Sequence, residues 1–146
     1  MTAEEIISKL PYKEPFLFVD DIEQVHKEMI EGSYTFKKDE YFYQGHFKDH
    51  PVTPGVILTE CMAQIGLVCF GINLLADSIT EGVQVAMSST KIDFLKPVFP
   101  GEKVKVISEK VYFRFNKLKC KVKMINSKGE TVCNGEISGM LIPVSL

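Results

Sequence analysis

Hydrophobic and polar positions divide the chain into an ordered series of elements. Thr2 followed by Glu5 forms a T-x-x-E capping box with Ile6, Ile7 and Leu10 behind it, which predicts a short amphipathic helix from about Ala3 to Lys9, ending ahead of Pro11. Phe16-Leu17-Phe18-Val19 is a dense apolar run and predicts a buried strand whose chain stays extended through Val25. After a turn at His26–Glu28, residues Ile30, Gly32, Tyr34 and Phe36 alternate with Glu31, Ser33 and Thr35, the pattern of a second strand antiparallel to the first.

Tyr41–Phe47 is aromatic and contains Gly45, and Lys48–Pro54 is broken by Pro51 and Pro54, so a loop is expected there. Thr53 is placed to cap a helix that starts at Pro54. The run from Pro54 to Ala76 then carries one charged residue, Glu60, and is apolar on every side. Such a helix is either wrapped by protein or crosses a membrane. Glu60, Gln64 and Asn73, the interrupting glycines and the lack of flanking Lys or Arg favour the wrapped reading.

The remainder is strand-like. Val83–Phe94 is extended with mixed faces, and Lys96–Glu102 is a turn-rich connection. Val104–Phe115 alternates, and so does Leu118–Ile125, with Leu118, Cys120, Val122 and Met124 on one face and Lys117, Lys119, Lys121 and Lys123 on the other. A hairpin turn is expected at Asn126–Glu130, and Thr131–Val144 closes the sheet. One long helix wrapped by a curved antiparallel sheet of five or six strands makes an α+β domain. The open sheet edge of such a unit favours pairing with a second copy.

Composition narrows the class. The 146 residues fit one domain, 45% hydrophobic and 25% charged, as expected of a globular protein. A net charge of −2 gives no reason to expect a nucleic-acid or anionic-membrane partner. MTAEEIISKL at the start is acidic and lacks the apolar core of an export signal, so a cytoplasmic location is expected. Cys61, Cys69, Cys120 and Cys133 include no C-x-x-C pair and read as reduced core residues.

Candidate chemistry concentrates between Gln44 and Gln64, QGHFKDHPVTPGVILTECMAQ. Glu60 in an apolar run is costly to bury as an anion, so it stays protonated or finds a partner. His46, or its copy on another subunit, is the candidate partner. His46 and His50 stand four apart, but the surrounding glycine and prolines speak against the helix that metal ligation at that spacing needs. No metal or organic cofactor is expected.

Leu10-Pro11, Pro15-Phe16-Leu17-Phe18-Val19-Asp20, Gly45-His46-Phe47, His50-Pro51, Pro54-Gly55-Val56, Glu60 with Met62-Ala63-Gln64, and Lys96-Pro97-Val98 with Pro100-Gly101 together form a long ordered signature. In it the chain resembles the FabZ-type 3-hydroxyacyl-[acyl-carrier-protein] dehydratases. The resemblance implies a hotdog fold and the loss of water from a (3R)-3-hydroxyacyl thioester to give the trans-2-enoyl thioester. It places the catalytic histidine on His46 and the catalytic carboxylate on Glu60, acting across a homodimer interface, and it admits a trimer of dimers as a further assembly. Acyl carrier protein is the implied partner, in fatty acid synthesis or a related acyl or polyene pathway.

The residue types suit that reaction. Neutral imidazole removes the C2 proton near pH 7, and a carboxyl raised in pKa by burial protonates the leaving oxygen. The N–H groups of Gly55 and Val56, unpaired at a helix start, form a candidate oxyanion hole. Gln64, one turn beyond Glu60, is expected to orient the carboxylate or a water. Lys48 and Lys96, beside the motif loop and the proline turn, are the basic residues nearest the expected carrier-protein surface. Asp93 and Leu95 stand where that family commonly has basic side chains, and Pro11-Tyr12-Lys13 stands for its Pro-His-Arg. A hotdog acyl thioesterase and a non-catalytic acyl or carrier-protein binding module remain the rival readings.

Overall fold

The computed structural model describes residues 1–78 and 83–143. At the start the Thr2 hydroxyl accepts from the Glu5 N–H at 3.1 Å and the Glu5 carboxylate accepts from the Thr2 N–H at 3.0 Å, the reciprocal box that opens α1 (Ala3–Ser8). Only Ile6 of this helix is buried, which seats it as a plug on the core.

Strand β1 (Asp21–Val25) pairs antiparallel with β2 (Met29–Thr35), as the alternation predicts. The expected strand over Phe16–Val19 is absent: these residues are irregular, although Phe18 and Val19 are buried. Their apolarity comes from packing, and the Phe18 N–H is bonded by a side chain of the central helix instead of by a strand.

The remaining strands are β3 (Val83–Phe94), β4 (Lys103–Arg114), β5 (Lys117–Asn126) and β6 (Thr131–Pro143); Val144, at the expected end of the last strand, lies outside the described residues. All six form one antiparallel sheet in the order β1-β2-β4-β5-β6-β3. The β4–β5 hairpin turns through Phe115 and Asn116, both at positive φ, the geometry of a tight primed turn. Leu118, Cys120, Val122 and Met124 of β5 are buried, and Lys119 on the opposite face pairs with Glu136 at 3.1 Å.

The central helix spans Gly55–Leu75 and is 78% buried over its most apolar stretch; although long enough to cross a membrane, it is the core element of the sheet it lies on. It is not uniform. An α-helical segment α2 (Gly55–Ala63) passes into a π-helical turn at Gln64–Cys69 and then into α3 (Phe70–Leu75), where the all-round apolar run predicts one long helix. The turn lies where Gly66 approaches the sheet. Ser108 Oγ of β4 donates to the Gly66 carbonyl at 2.8 Å, and a Cβ on Gly66 would stand 3.0 Å from Ser108 and 3.1 Å from Val122. This drawing-in of the backbone accompanies the altered helical hydrogen bonding. All four cysteines are buried and free.

Candidate active site

A short 3₁₀ turn, Tyr41–Gln44, carries the chain to the first candidate residue. Phe42 packs edge-on against Phe18 and Phe36, at ring distances of 6.2 and 6.4 Å, and the Tyr43 hydroxyl shares a 2.6 Å hydrogen bond with Thr53 Oγ1. Both anchors precede His46, whose backbone is held twice: its N–H donates to the Phe42 carbonyl at 3.1 Å, and its carbonyl accepts from the Val52 N–H at 2.9 Å.

The ring is fixed by the same partner, since His46 Nδ1 lies 2.9 Å from the Val52 carbonyl. A carbonyl only accepts, so Nδ1 carries the hydrogen and the neutral imidazole keeps its lone pair on Nε2. One face of the ring stacks on Phe47 with centroids 4.0 Å apart. His50 is exposed, and its backbone rather than its ring ties the loop, through mutual 3.2 Å bonds with Phe47.

Thr53 does not cap the central helix. Its hydroxyl is turned to Tyr43, and Pro54 occupies the cap position in extended conformation, with no side-chain cap bond. The Pro54 carbonyl accepts from the Ile57 and Leu58 N–H groups at 2.9 and 3.1 Å. The N–H groups of Gly55 and Val56, one and two positions in, have no hydrogen-bond partner among the described residues. They stand at the positive end of the helix, free for an anionic or polarised oxygen.

Glu60 follows on α2, half-buried. Burial raises its pKa above the usual carboxylate value, and a hydrogen bond from Gln64 partly opposes the rise. That bond, Gln64 Nε2 to Glu60 Oε2, measures 3.0 Å. Gln64 is itself fully buried. Its Oε1 accepts from the Phe18 N–H at 2.8 Å and its Nε2 also donates to the Phe16 carbonyl at 3.1 Å. One amide thus ties the carboxylate to the irregular segment before β1. Tyr12 shares these surroundings: burial, with the Glu60 charge second, pushes its phenol up to about 12. Sequence reasoning noted Tyr12 only as a departure from the family pattern.

A groove of about 680 Å³ runs between α2 and β3, with Gly55, Val56, Thr59 and Glu60 on one wall and Met87, Thr90, Ile92 and Phe94 on the other. Both candidate oxyanion residues and the acid therefore meet in one space. His46 is not among the described residues lining it. The far wall is the outermost strand of the sheet, and Val56 in the groove is 76% exposed.

Residues 10–138 match the family described as the FabA-like domain. The chain is 35% identical over 133 residues to the 3-hydroxyacyl-[acyl-carrier-protein] dehydratase FabZ of Petrotoga mobilis, covering 91% of each chain. It is 31% identical over 141 residues to the FabZ of Clostridium perfringens, covering 94% of this chain and 96% of that one. Among solved structures, the dehydratase heterocomplex ApeI:P of Xenorhabdus doucetiae superposes with a TM-score of 0.79 at 12% identity, over 95% of this chain and 91% of that one. A hypothetical thioesterase with coenzyme A from Streptococcus pneumoniae does so with a TM-score of 0.60 at 16% identity, over 86% and 87%. These two likenesses establish the hotdog fold.

Proposed function

The chain belongs to the FabA-like domain family, and from that membership we propose that it is a 3-hydroxyacyl-[acyl-carrier-protein] dehydratase in which His46 is the base and Glu60 the acid. The names of its FabZ relatives support acyl carrier protein as the substrate's bearer, and on our reading the setting is cytoplasmic fatty acid synthesis or a related acyl pathway. His46 Nε2 takes a proton from C2 as Glu60 delivers its own to the C3 hydroxyl, the C3–O bond breaks, and water leaves. The electron pair from C2 passes through the thioester oxygen, which the Gly55 and Val56 N–H groups stabilise, and returns as the C2–C3 double bond. Each such donor typically contributes about 2.7–4 kcal/mol. Histidinium then returns its proton to the carboxylate, and both groups are reset.

The observation that carries this reading is geometric: Gly55, Val56 and Glu60 line one groove, and the Val52 carbonyl holds His46 Nδ1 so that Nε2 keeps the free lone pair. Burial shifts Glu60 towards its protonated form. Elimination needs a base for C2 and a proton donor at C3; hydrolysis by a thioesterase has no use for the latter.

Our reading places the histidine of one subunit over the groove of another, in a homodimer that a trimer of dimers would extend. It is supported by the outermost position of β3, a strand of 12 residues, and by the apolar side chains of Val56, Met87 and Phe94 left open beside the groove. Unpaired strand edges and contiguous apolar patches are favourable only when covered.

The test is dehydration of a 3-hydroxyacyl thioester, followed by the absorbance of the conjugated enoyl product. His46→Ala and Glu60→Gln should each be inactive. Unfolded and refolded together, they should regain about a quarter of wild-type activity, because half the dimers are mixed and each mixed dimer holds one intact site. Full activity in both variants would remove the assignment, and no recovery on mixing would place both groups within one chain.

A further inference from the structure

His46 is held from both sides of its loop. Its N–H donates to the Phe42 carbonyl at 3.1 Å in the turn before it, and its carbonyl accepts from the Val52 N–H at 2.9 Å after it. The Val52 carbonyl lies 2.9 Å from Nδ1. Gln44, Gly45 and residues 47–51 between these anchors are exposed, so burial does not fix the shape of the loop. The nearest buried residues to His46 along the chain are Tyr43 before it and Thr53 after it.

Those two residues bond to each other. The Tyr43 hydroxyl and Thr53 Oγ1 are 2.6 Å apart, and neither side chain has another hydrogen-bond partner among the described residues. Burial pushes the Tyr43 phenol up to about 12, which keeps it protonated at neutral pH. Each end is seated in the core. The Tyr43 ring packs on Phe42 with centroids 4.6 Å apart, and the Thr53 N–H donates at 2.9 Å to the carbonyl of fully buried Val98.

The carbonyl that meets His46 and the N–H that meets Val98 belong to one peptide group, Val52–Thr53. That group is planar, so its two hydrogen bonds leave it free only to swing about the line joining them. The Thr53 side chain branches off that line, and its bond to Tyr43 opposes the swing.

We propose that Tyr43 and Thr53 form a clasp that aims His46 Nε2 at the C2 proton by fixing the Val52–Thr53 peptide group. They are positioning residues and act through His46, so the proposal rests on the reading of His46 as the base. Neutral imidazole carries its hydrogen on either nitrogen, and only the Nδ1–H form leaves Nε2 a lone pair. A carbonyl held opposite Nδ1 selects that form and fixes the plane of the ring. Opening the clasp lets the carbonyl turn away, so the ring tilts and both tautomers become populated.

The test reads tautomer and turnover in the same variants. Long-range proton–nitrogen correlation spectra, recorded above the ordinary imidazole titration range, distinguish the two tautomers at each of the three histidines, and His46→Ala assigns the signal. Wild type and Thr53→Ser, which keeps the hydroxyl, should show the Nδ1–H form alone at His46. Tyr43→Phe and Thr53→Val should show a mixture there, with His26 and His50 as in wild type. In both, kcat should fall about ten-fold with KM little changed, the mark of a mis-aimed group, and Thr53→Ser should retain kcat. An unmixed tautomer at His46 in both variants, a mixture with kcat at the wild-type level, or Thr53→Ser behaving as Thr53→Val does would overturn the clasp. The tautomer is read without substrate, and His46→Ala separates the two failures: full activity in that variant removes the base itself, whereas an inactive His46→Ala beside an unmoved kcat in Tyr43→Phe and Thr53→Val removes the clasp alone.

Discussion

Replacing Gln64 by leucine tests the link between the core and the acid. The side chain is fully buried and serves three groups at once: the Phe18 N–H, the Phe16 carbonyl and the Glu60 carboxylate. Leucine is similar in size, so the loss is of hydrogen bonds and not of volume. Phe18 is fully buried, and leaving its N–H unpaired costs about 1–3 kcal/mol. The Phe16 carbonyl belongs to an exposed residue and recovers most of its loss from water. A net destabilisation of about 2 kcal/mol is expected, a large share of the roughly 5–15 kcal/mol that holds a typical domain together. Urea denaturation followed by circular dichroism should show a lower midpoint at unchanged slope. The second consequence is electrostatic. The amide bond favours the ionised carboxylate, so without it burial acts unopposed and the pKa of Glu60 climbs further. The limb of the pH–rate profile that reports ionisation of the acid should move to higher pH, while misplacement of the carboxylate lowers kcat by about 100-fold. A midpoint shift worth less than about 0.5 kcal/mol, the range of a surface substitution, together with an unmoved limb, would refute the reasoning.

Three further outcomes follow from the same contacts. The folded chain holds the Glu60 proton more tightly than the unfolded chain does, so its contribution to stability is present at low pH and is lost as pH rises through the folded value; Glu60→Gln should therefore melt a few degrees higher than wild type at pH 8, with the gain vanishing below the ordinary carboxylate range. Tyr43→Phe and Thr53→Val each orphan one end of a buried 2.6 Å hydrogen bond and should each cost about 1–2 kcal/mol by denaturant titration. The double variant should cost clearly less than the two together. Gly66→Ala puts a methyl group 3.0 Å from Ser108 and 3.1 Å from Val122, and a loss of about 1–3 kcal/mol is expected from overpacking, read as a lower thermal midpoint.

How much of this was legible in the chain differs from residue to residue. Element type was read correctly where the pattern was clear, β5 by its alternating lysines and the central helix by its all-round apolarity, although the π-helical turn at Gln64–Cys69 was not foreseen. Phe16–Val19 misled because apolar density marks burial, and burial is open to irregular chain whenever a side chain such as Gln64 supplies the missing hydrogen bond. Thr53 misled in the converse way: its hydroxyl could serve the helix or Tyr43, and only one arrangement places both residues in a packed site. The tautomer of His46 depends on the Val52 carbonyl, which no residue type announces because every residue has one. The place of Phe94 in the groove wall gave no signal, since the opposite wall begins at Gly55, far back along the chain.

The sequence by itself determined the class of element at nearly every position, the single central helix and the residue types of the site, because those follow from side-chain period and chemistry within a few residues. Tertiary structure decided the strand order that puts β3 at the edge, the turn of Gln64 toward partners 46 and 48 positions away, and the meeting of Glu60 with the free N–H groups in one groove. Polar groups have several chemically equivalent partners within reach of a flexible chain, and only the packing of the whole domain selects among them.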